Sequence, residues 1–391
     1  MVIGGCLPQR AEWLLAFFCN KCALIGIHLT VILDFRSLAF FRIVLGLLVL
    51  VPSLLLTCDF AAFYQAGDVF PVPAWNEPLL RALLFGVLPL GAVSLILGFV
   101  TRLSTLVCVV GIIVVQDANP QILQGGDVLL RLLLFWSLFL PLDRVWSLDA
   151  SWMTIKAPSL PWTTSLATRA LTLQICFVYW FASLLKTDPL WTQSGNALFY
   201  ALNIEHFTTP FGLYLRQFPD LLRVISLSTP WFELAGPCLL FIPFHRDACR
   251  LGAVALFISF HLIGMEALLR IGLFPWVCAT AWLVFIPGSF WDWFKVRSDE
   301  PSKIKPDKRS AETQKKKKSI AKTWPALDYI GSFIVIVSFL DVLAWNIASV
   351  SGRKGDRHAA ALNFTFDLPF LAPCLSPFVV ATVPTFWAWP V

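Results

Sequence analysis

Charge is what this chain has least of. Only 14% of its 391 residues are Asp, Glu, Lys or Arg, against 58% hydrophobic, where soluble domains carry about 25% charged residues. A soluble fold of this length has no way to hide so much apolar surface, so that class is excluded. Signatures of soluble-enzyme chemistry are missing: there is no Walker motif, GxGxxG, HExxH or GxSxG. No internal repeat is visible, whereas a transporter would be expected to show inverted repeats and paired broken helices. A cleavable leader is not evident either. The apolar run in "MVIGGCLPQRAEWLLAFFCNKCALIGIHLTVILDF" is broken by Lys21, with no clean small-residue cleavage site after it. An interfacial helix on the cytoplasmic face is expected there instead. The ten cysteines make no framework. Cys108, Cys176, Cys238 and Cys278 fall in apolar windows as small hydrophobes. Cys19 and Cys22 form a CxxC without a second pair nearby, which argues against a metal site.

What is present is hydrocarbon-compatible sequence. Mean hydropathy is +0.74, and 17 Trp and 34 Phe suit aromatic belts at two membrane interfaces. Apolar windows of roughly spanning length fall at 38–57, 79–99, 101–116, 127–142, 169–186, 222–243, 248–268, 271–288 and 326–348. The third and fourth are short. Pro52, Pro89 and Pro237 lie inside windows, where neighbouring helices can satisfy the freed carbonyls. The expectation is an all-α polytopic membrane protein, a bundle of about eight spanning helices with a ninth after a basic linker.

Loop charge orients the bundle. Loop 58–78 holds Asp59, Asp68 and Glu77 but no Lys or Arg, and loop 117–126 has no Lys or Arg. Arg102, Arg144, Lys156, Arg169, Arg246, Arg250, Lys295 and Arg297 all fall on the alternate side, which the positive-inside rule makes cytoplasmic. The N-terminus and the segment "KIKPDKRSAETQKKKKSIAK" are then inside as well. Arg353, Lys354 and Arg357 follow the last window on the outer side, against the rule. Cys58 and Cys374 would both be outside, where a disulfide could join them. Asn363-Phe-Thr is a glycosylation sequon, meaningful only in a eukaryotic secretory pathway.

The informative residues are polar ones at membrane depth, each costing about 2.5–3.5 kcal/mol on insertion scales. Asp127 and Arg131, four apart in "GGDVLLRLLLF", share a helix face and are expected to pair. Glu233 sits in "STPWFELAGP". His261 sits mid-window in "FISFHLIGMEALLRIGLF", with Glu266 and Arg270 about one and two turns on. Two readings are open for Lys186, at the end of "YWFASLLK". It could snorkel to the outer interface as an anchor. It could instead be desolvated against Trp180, Phe181 and Trp191, and desolvation turns an ammonium toward the neutral amine that a general base requires. The following segment, "TQSGNALFYALNIEHFTTPFGLYLRQFPDLL", is too long for a turn and too polar for a span. It is expected to cap the bundle on the outer face, which favours burial of Lys186.

Several blocks, in order, resemble one family. They are "DFRSLAFFRIVLGLLVL", "DVFPVPAW", "NPQILQGGDVLLRLLLFWSLFLPLDRVWSLD", "YWFASLLKTDPLWTQSGNALFYAL" and "FHLIGMEALLRIGLFPWV". Together, over residues 34–292, they resemble the HTTM domain family, whose best-known members are the vitamin K-dependent gamma-carboxylases. The resemblance implies that Lys186 matches the base that deprotonates vitamin K hydroquinone. Oxygenation of that quinol gives a base that takes a glutamate γ-proton, and carbon dioxide traps the carbanion. The family's helix histidine falls on His261. Where the animal enzymes carry a histidine after an asparagine, this chain has Pro120. They also have a large lumenal domain for which no counterpart is read here. Bacterial members include some linked to maturation of secreted peptide toxins.

The expected organisation is an interfacial segment over 1–33, the bundle over 34–294, a basic cytoplasmic linker over 295–324, a further spanning helix over 325–348 and a tail over 349–391. Two functions remain open. One is a membrane enzyme using Lys186 and His261 on a quinone-like, lipid-soluble substrate, with Trp180, Trp191, Asp127, Arg131, Glu233 and Glu266 lining its pocket and no metal. The other is a non-enzymatic membrane factor that matures, or protects against, a secreted peptide. Multi-pass placement in the cell membrane is expected for both, and no nucleic-acid partner for either.

Overall fold

A computed structural model of the chain describes residues 31–64, 77–119, 122–152, 160–296 and 325–351. The expected interfacial helix before residue 31 with its CxxC, the block 68–75, Pro120, the linker over 297–324, and Asn363, Cys374 and the rest of the tail lie outside the described residues.

The described chain is helical apart from two dipeptide strands. In order it runs β1 (Leu33–Asp34), α1 (Phe35–Cys58), α2 (Phe60–Tyr64), α3 (Glu77–Leu97), α4 (Thr101–Ala118), α5 (Gly125–Ser137), α6 (Leu148–Trp152), β2 (Trp162–Thr163), α7 (Leu166–Leu185), α8 (Pro189–Thr192), α9 (Ala197–Ala201), α10 (Pro210–Leu215), α11 (Pro219–Phe241), α12 (Arg246–Glu266), α13 (Phe274–Phe285), α14 (Gly288–Val296) and α15 (Pro325–Ser351). This is an all-α polytopic membrane protein. Among the described residues, six helices are long and apolar enough to cross a bilayer: α1, α3, α4, α7, α11 and α12. Counting the pair α13 and α14, bent by 86°, as one span makes seven.

One of the nine windows is not a span. The window at 127–142 folds as α5, whose 13 residues reach about 20 Å across a hydrocarbon core of about 30 Å. Every residue from Val128 to Ser137 is buried, so its leucines face protein and not lipid. Helix α15 carries the apolar stretch Gly331–Ala344. This helix lies on α7, with Phe339 stacked on Phe177 at 5.6 Å.

Proline accounts for two of the irregular turns. A π-helical turn, Leu83–Val87, precedes Pro89 in α3, and α11 tightens to a 3-10 helix at Gly236–Phe241, where Pro237 stands. Each change of pitch absorbs a missing N–H.

One end of the bundle is tied by polar side chains. Arg42, fully buried in α1, donates to the carbonyls of Leu142, Ile96 and Trp146. Gly98 makes this possible: its φ is +67°, and a Cβ there would stand 2.5 Å from Arg42 Nη1. Asp149 caps α4, accepting from Val100 N at 2.7 Å, Thr101 N at 2.8 Å and Thr101 Oγ1 at 2.7 Å. At the same end β1 pairs antiparallel with β2, Leu33 opposite Thr163 and Asp34 opposite Trp162. Arg36 bridges Asp34 and Asp292. The opposite end is closed by Asn119 Nδ2 donating to Phe63 O at 2.9 Å and Arg270 N to Phe207 O at 2.6 Å.

The Asp149 cap is directly testable. Asp149→Ala should cost ~1–2 kcal/mol in unfolding measured in detergent micelles, and Asp149→Asn less. Full stability of the Ala variant would show that the carboxylate does not hold α4.

Candidate functional site

The site is built where the last turns of α7 dock on α11. Helix α7 opens with a reciprocal cap between Ser165 and Thr168. Tyr179, Ser183 and Lys186 follow at spacings of four and three, which puts them on one face. Three bonds fix the docking. Trp180 Nε1 donates to Leu234 O at 3.1 Å, Ser183 Oγ to Pro230 O at 2.7 Å, and Lys186 Nζ to Glu233 Oε2 at 2.6 Å. Pro237 has no N–H to offer the turn before it, so the Trp180 indole serves the Leu234 carbonyl.

Lys186 and Glu233 are 3% and 1% exposed. The lysine is a buried member of an ion pair, not an interface anchor. The ring of Trp191, on α8, lies 5.3 Å from Nζ. Helices α8 and α9 pack on the first half of α11, which extends beyond the end of α7, so 187–217 and that half-helix stand over the pair. In this setting attraction between the charges is strong, and loss of either partner leaves the other uncompensated.

His261 lies below this level. It is buried in a π-helical turn, Phe260–Glu266, at the end of α12. Its Nε2 is 2.8 Å from Tyr179 Oη, and Trp282 Nε1 donates to the same oxygen at 2.7 Å. An indole N–H can only donate, so the Tyr179 hydroxyl accepts from Trp282, and the imidazole tautomer sets the direction of its bond to Nε2. Nδ1 has no partner, and neither has the enclosed Oε2 of Glu266. The ring pair Phe257–Trp282, parallel at 4.0 Å, backs Tyr179. His261 makes no hydrogen bond to Lys186. Tyr179, its partner, is seven residues before Lys186 on the same face, roughly 10 Å along the axis.

Asp127 and Arg131 do not pair as expected. Asp127 Oδ2 accepts from Gln124 N at 2.9 Å and closes a capping box at the start of α5. Arg131 turns to α4, where Nη2 meets Asp117 Oδ1 at 3.2 Å and Nε bonds Gln116 Oε1. The helix start claims the aspartate, and the arginine finds a carboxylate on the neighbouring helix. This is a cluster of its own between α4 and α5, not an extension of the Lys186 pair. Sequence reasoning missed Tyr179, Trp282, Gln116 and Asp117. For Tyr179 a signal existed in its two-turn spacing from Lys186.

A family model described as HTTM domain matches residues 32–293. No curated protein and no solved structure matches the chain.

If the pair carries the docking of α7 on α11, Glu233→Leu should destabilise the protein by ~3–5 kcal/mol, and adding Lys186→Met should restore most of the loss. Unfolding in micelles reads both. A Glu233→Leu variant as stable as the wild type would mean that the lysine is solvated.

Proposed function

The chain belongs to the HTTM domain family of gamma-carboxylase-like membrane proteins, and on that premise we propose that it is a membrane enzyme whose Lys186 takes a proton from the hydroxyl of a lipid-soluble hydroquinone. The observation that carries the proposal is the closed pair at 2.6 Å between two buried side chains. A proton shared across that distance has two homes. Moving it to Glu233 leaves Nζ a neutral amine beside a carboxylic acid, an exchange that removes two charges from surroundings that penalise charge. The amine then accepts the phenolic proton. The O–H bond breaks, its electron pair stays on the oxygen, and the new ammonium faces the phenolate. When bound, the hydroquinone supplies the redox chemistry.

The neighbourhood suits such a substrate. Trp191 lays flat apolar surface beside Lys186. Nδ1 of His261 is buried with no partner and is suited to bond a second substrate hydroxyl. Glu266, with its enclosed oxygen, borders the same turn. Asp127 and Arg131 act in this reading as ties between α4 and α5, not as pocket residues. The alternative, a non-enzymatic factor serving a secreted peptide, rests on the pair being a lock between α7 and α11 and nothing more.

Lys186→Arg separates the two. Arginine keeps the charge and the bond to Glu233 but does not give up its proton. Oxidation of a short-chain naphthohydroquinone by dioxygen, catalysed by the protein in nanodiscs, should fall ~10²–10⁴-fold, with melting unchanged. No turnover by the wild type, or equal turnover by Lys186→Arg, would leave the lock reading standing.

We also place the cap over 187–217 outside the cell membrane and the N-terminus inside, because the basic loops gather at the end of the bundle away from Lys186. In a background lacking the exposed Cys58, a cysteine at the exposed Glu205 should react with an impermeant maleimide on intact cells. One at the exposed Ser151 should react only after permeabilisation. The reverse pattern would invert the bundle.

A further inference from the structure

At the end of the bundle away from Lys186, a cavity of about 360 Å³ opens among β1, β2 and the ends of α1, α11, α12 and α14. Asp34, Arg36, Arg246, Asp247, Arg250 and Asp292 line it. Arg36 is committed. Its Nε and Nη2 hold Asp34 at 2.9 and 2.8 Å, and its Nη1 holds Asp292 at 2.6 Å. Arg250 is not. Its Nε and Nη2 are enclosed, and neither has an acceptor. Arg246 stands four residues earlier on the same face, and among the described residues neither arginine forms an ion pair. A guanidinium taken from water without a partner is costly, and its planar fork matches phosphate oxygens.

The height of the cavity says where such an oxygen would come from. Arg246 begins the apolar span Arg246–Glu266, so the first turns of α12 lie at the level of the lipid headgroups. Trp162, at the cavity wall, is 38% exposed, and Phe244, next to Pro243 of that wall, is 68% exposed, as in an interfacial belt. The first-turn amides of α12 point at the same level and favour an anion there. Leu240, Phe241 and Ile242 form an apolar wall beside the charges, which suits the glycerol and first methylenes of a lipid.

We propose that this cavity is a phosphate site for a membrane phospholipid, with Arg250 and Arg246 holding the phosphate oxygens. It is independent of the Lys186 chemistry. Native mass spectrometry of the detergent-purified protein tests it. Phosphatidylglycerol or phosphatidylethanolamine is added in one arm and inorganic phosphate in the other. The wild type should keep one phospholipid after bulk lipid is stripped. Arg250→Gln should keep roughly tenfold less, as expected for loss of a charge-assisted bond, and Arg250→Lys should recover part of it. Because Arg250 bonds nothing among the described residues, the Gln variant should melt with the wild type. Displacement of the lipid by an equal concentration of inorganic phosphate would support the phosphate contact and overturn the lipid source. No retained lipid on the wild type, or equal retention by wild type and Arg250→Gln with no effect of phosphate, would overturn the proposal.

Discussion

Two opposite charges buried together set the terms for this protein. Withdrawing an ammonium and a carboxylate from water costs several kcal/mol each, and only a close, well-formed contact offsets it. Lys186 and Glu233 meet that condition at 2.6 Å, but only while α7 and α11 keep their register. The bonds from Trp180 and Ser183 to the carbonyls of Leu234 and Pro230 hold that register. The proline-adjusted geometry of α11 presents those carbonyls. Helix α8 then lays Trp191 across the lysine. Each element near the site therefore serves either to place the pair or to keep water from it.

The same economy of charge governs both ends of the bundle. Arg42 is buried without a carboxylate bond and lives on three carbonyls, two from the loop before α6 and one from the last turn of α3. Asp149 is buried on the amides that begin α4. The segment ending in Trp-Ser-Leu-Asp, one of the blocks behind the family resemblance, supplies both: Trp146 O accepts from Arg42, and Asp149 caps the helix. That block holds the loop end of the bundle together.

Much of this was legible in the sequence, because a charged residue in an apolar window is costly and so conspicuous. Lys186, Glu233, His261, Asp127 and Arg131 all stood out on that ground. Their partners did not. Glu233 is 47 residues from Lys186, and no local spacing joins them. For Asp127 and Arg131 local spacing misled: a four-residue interval allows a pair, but the helix start and Asp117 on α4 compete for the two groups. Tyr179 escaped notice because an uncharged hydroxyl in an aromatic run carries no insertion penalty. The window at 127–142 was read as a span for a related reason. Composition cannot tell a leucine that faces lipid from one that faces protein, and α5 is a short helix buried on every side.

The central claim is that the pair under Trp191 draws a proton from a phenolic hydroxyl, and a bound naphthol that cannot be oxidised to a quinone reports this without turnover. The absorption of a naphtholate lies to the red of the neutral naphthol. With the protein in nanodiscs, the account predicts the anion's band for naphthol bound to the wild type and the neutral band for naphthol bound to Lys186→Arg. Neutral naphthol on the wild type, or the same spectrum on both proteins, would contradict it.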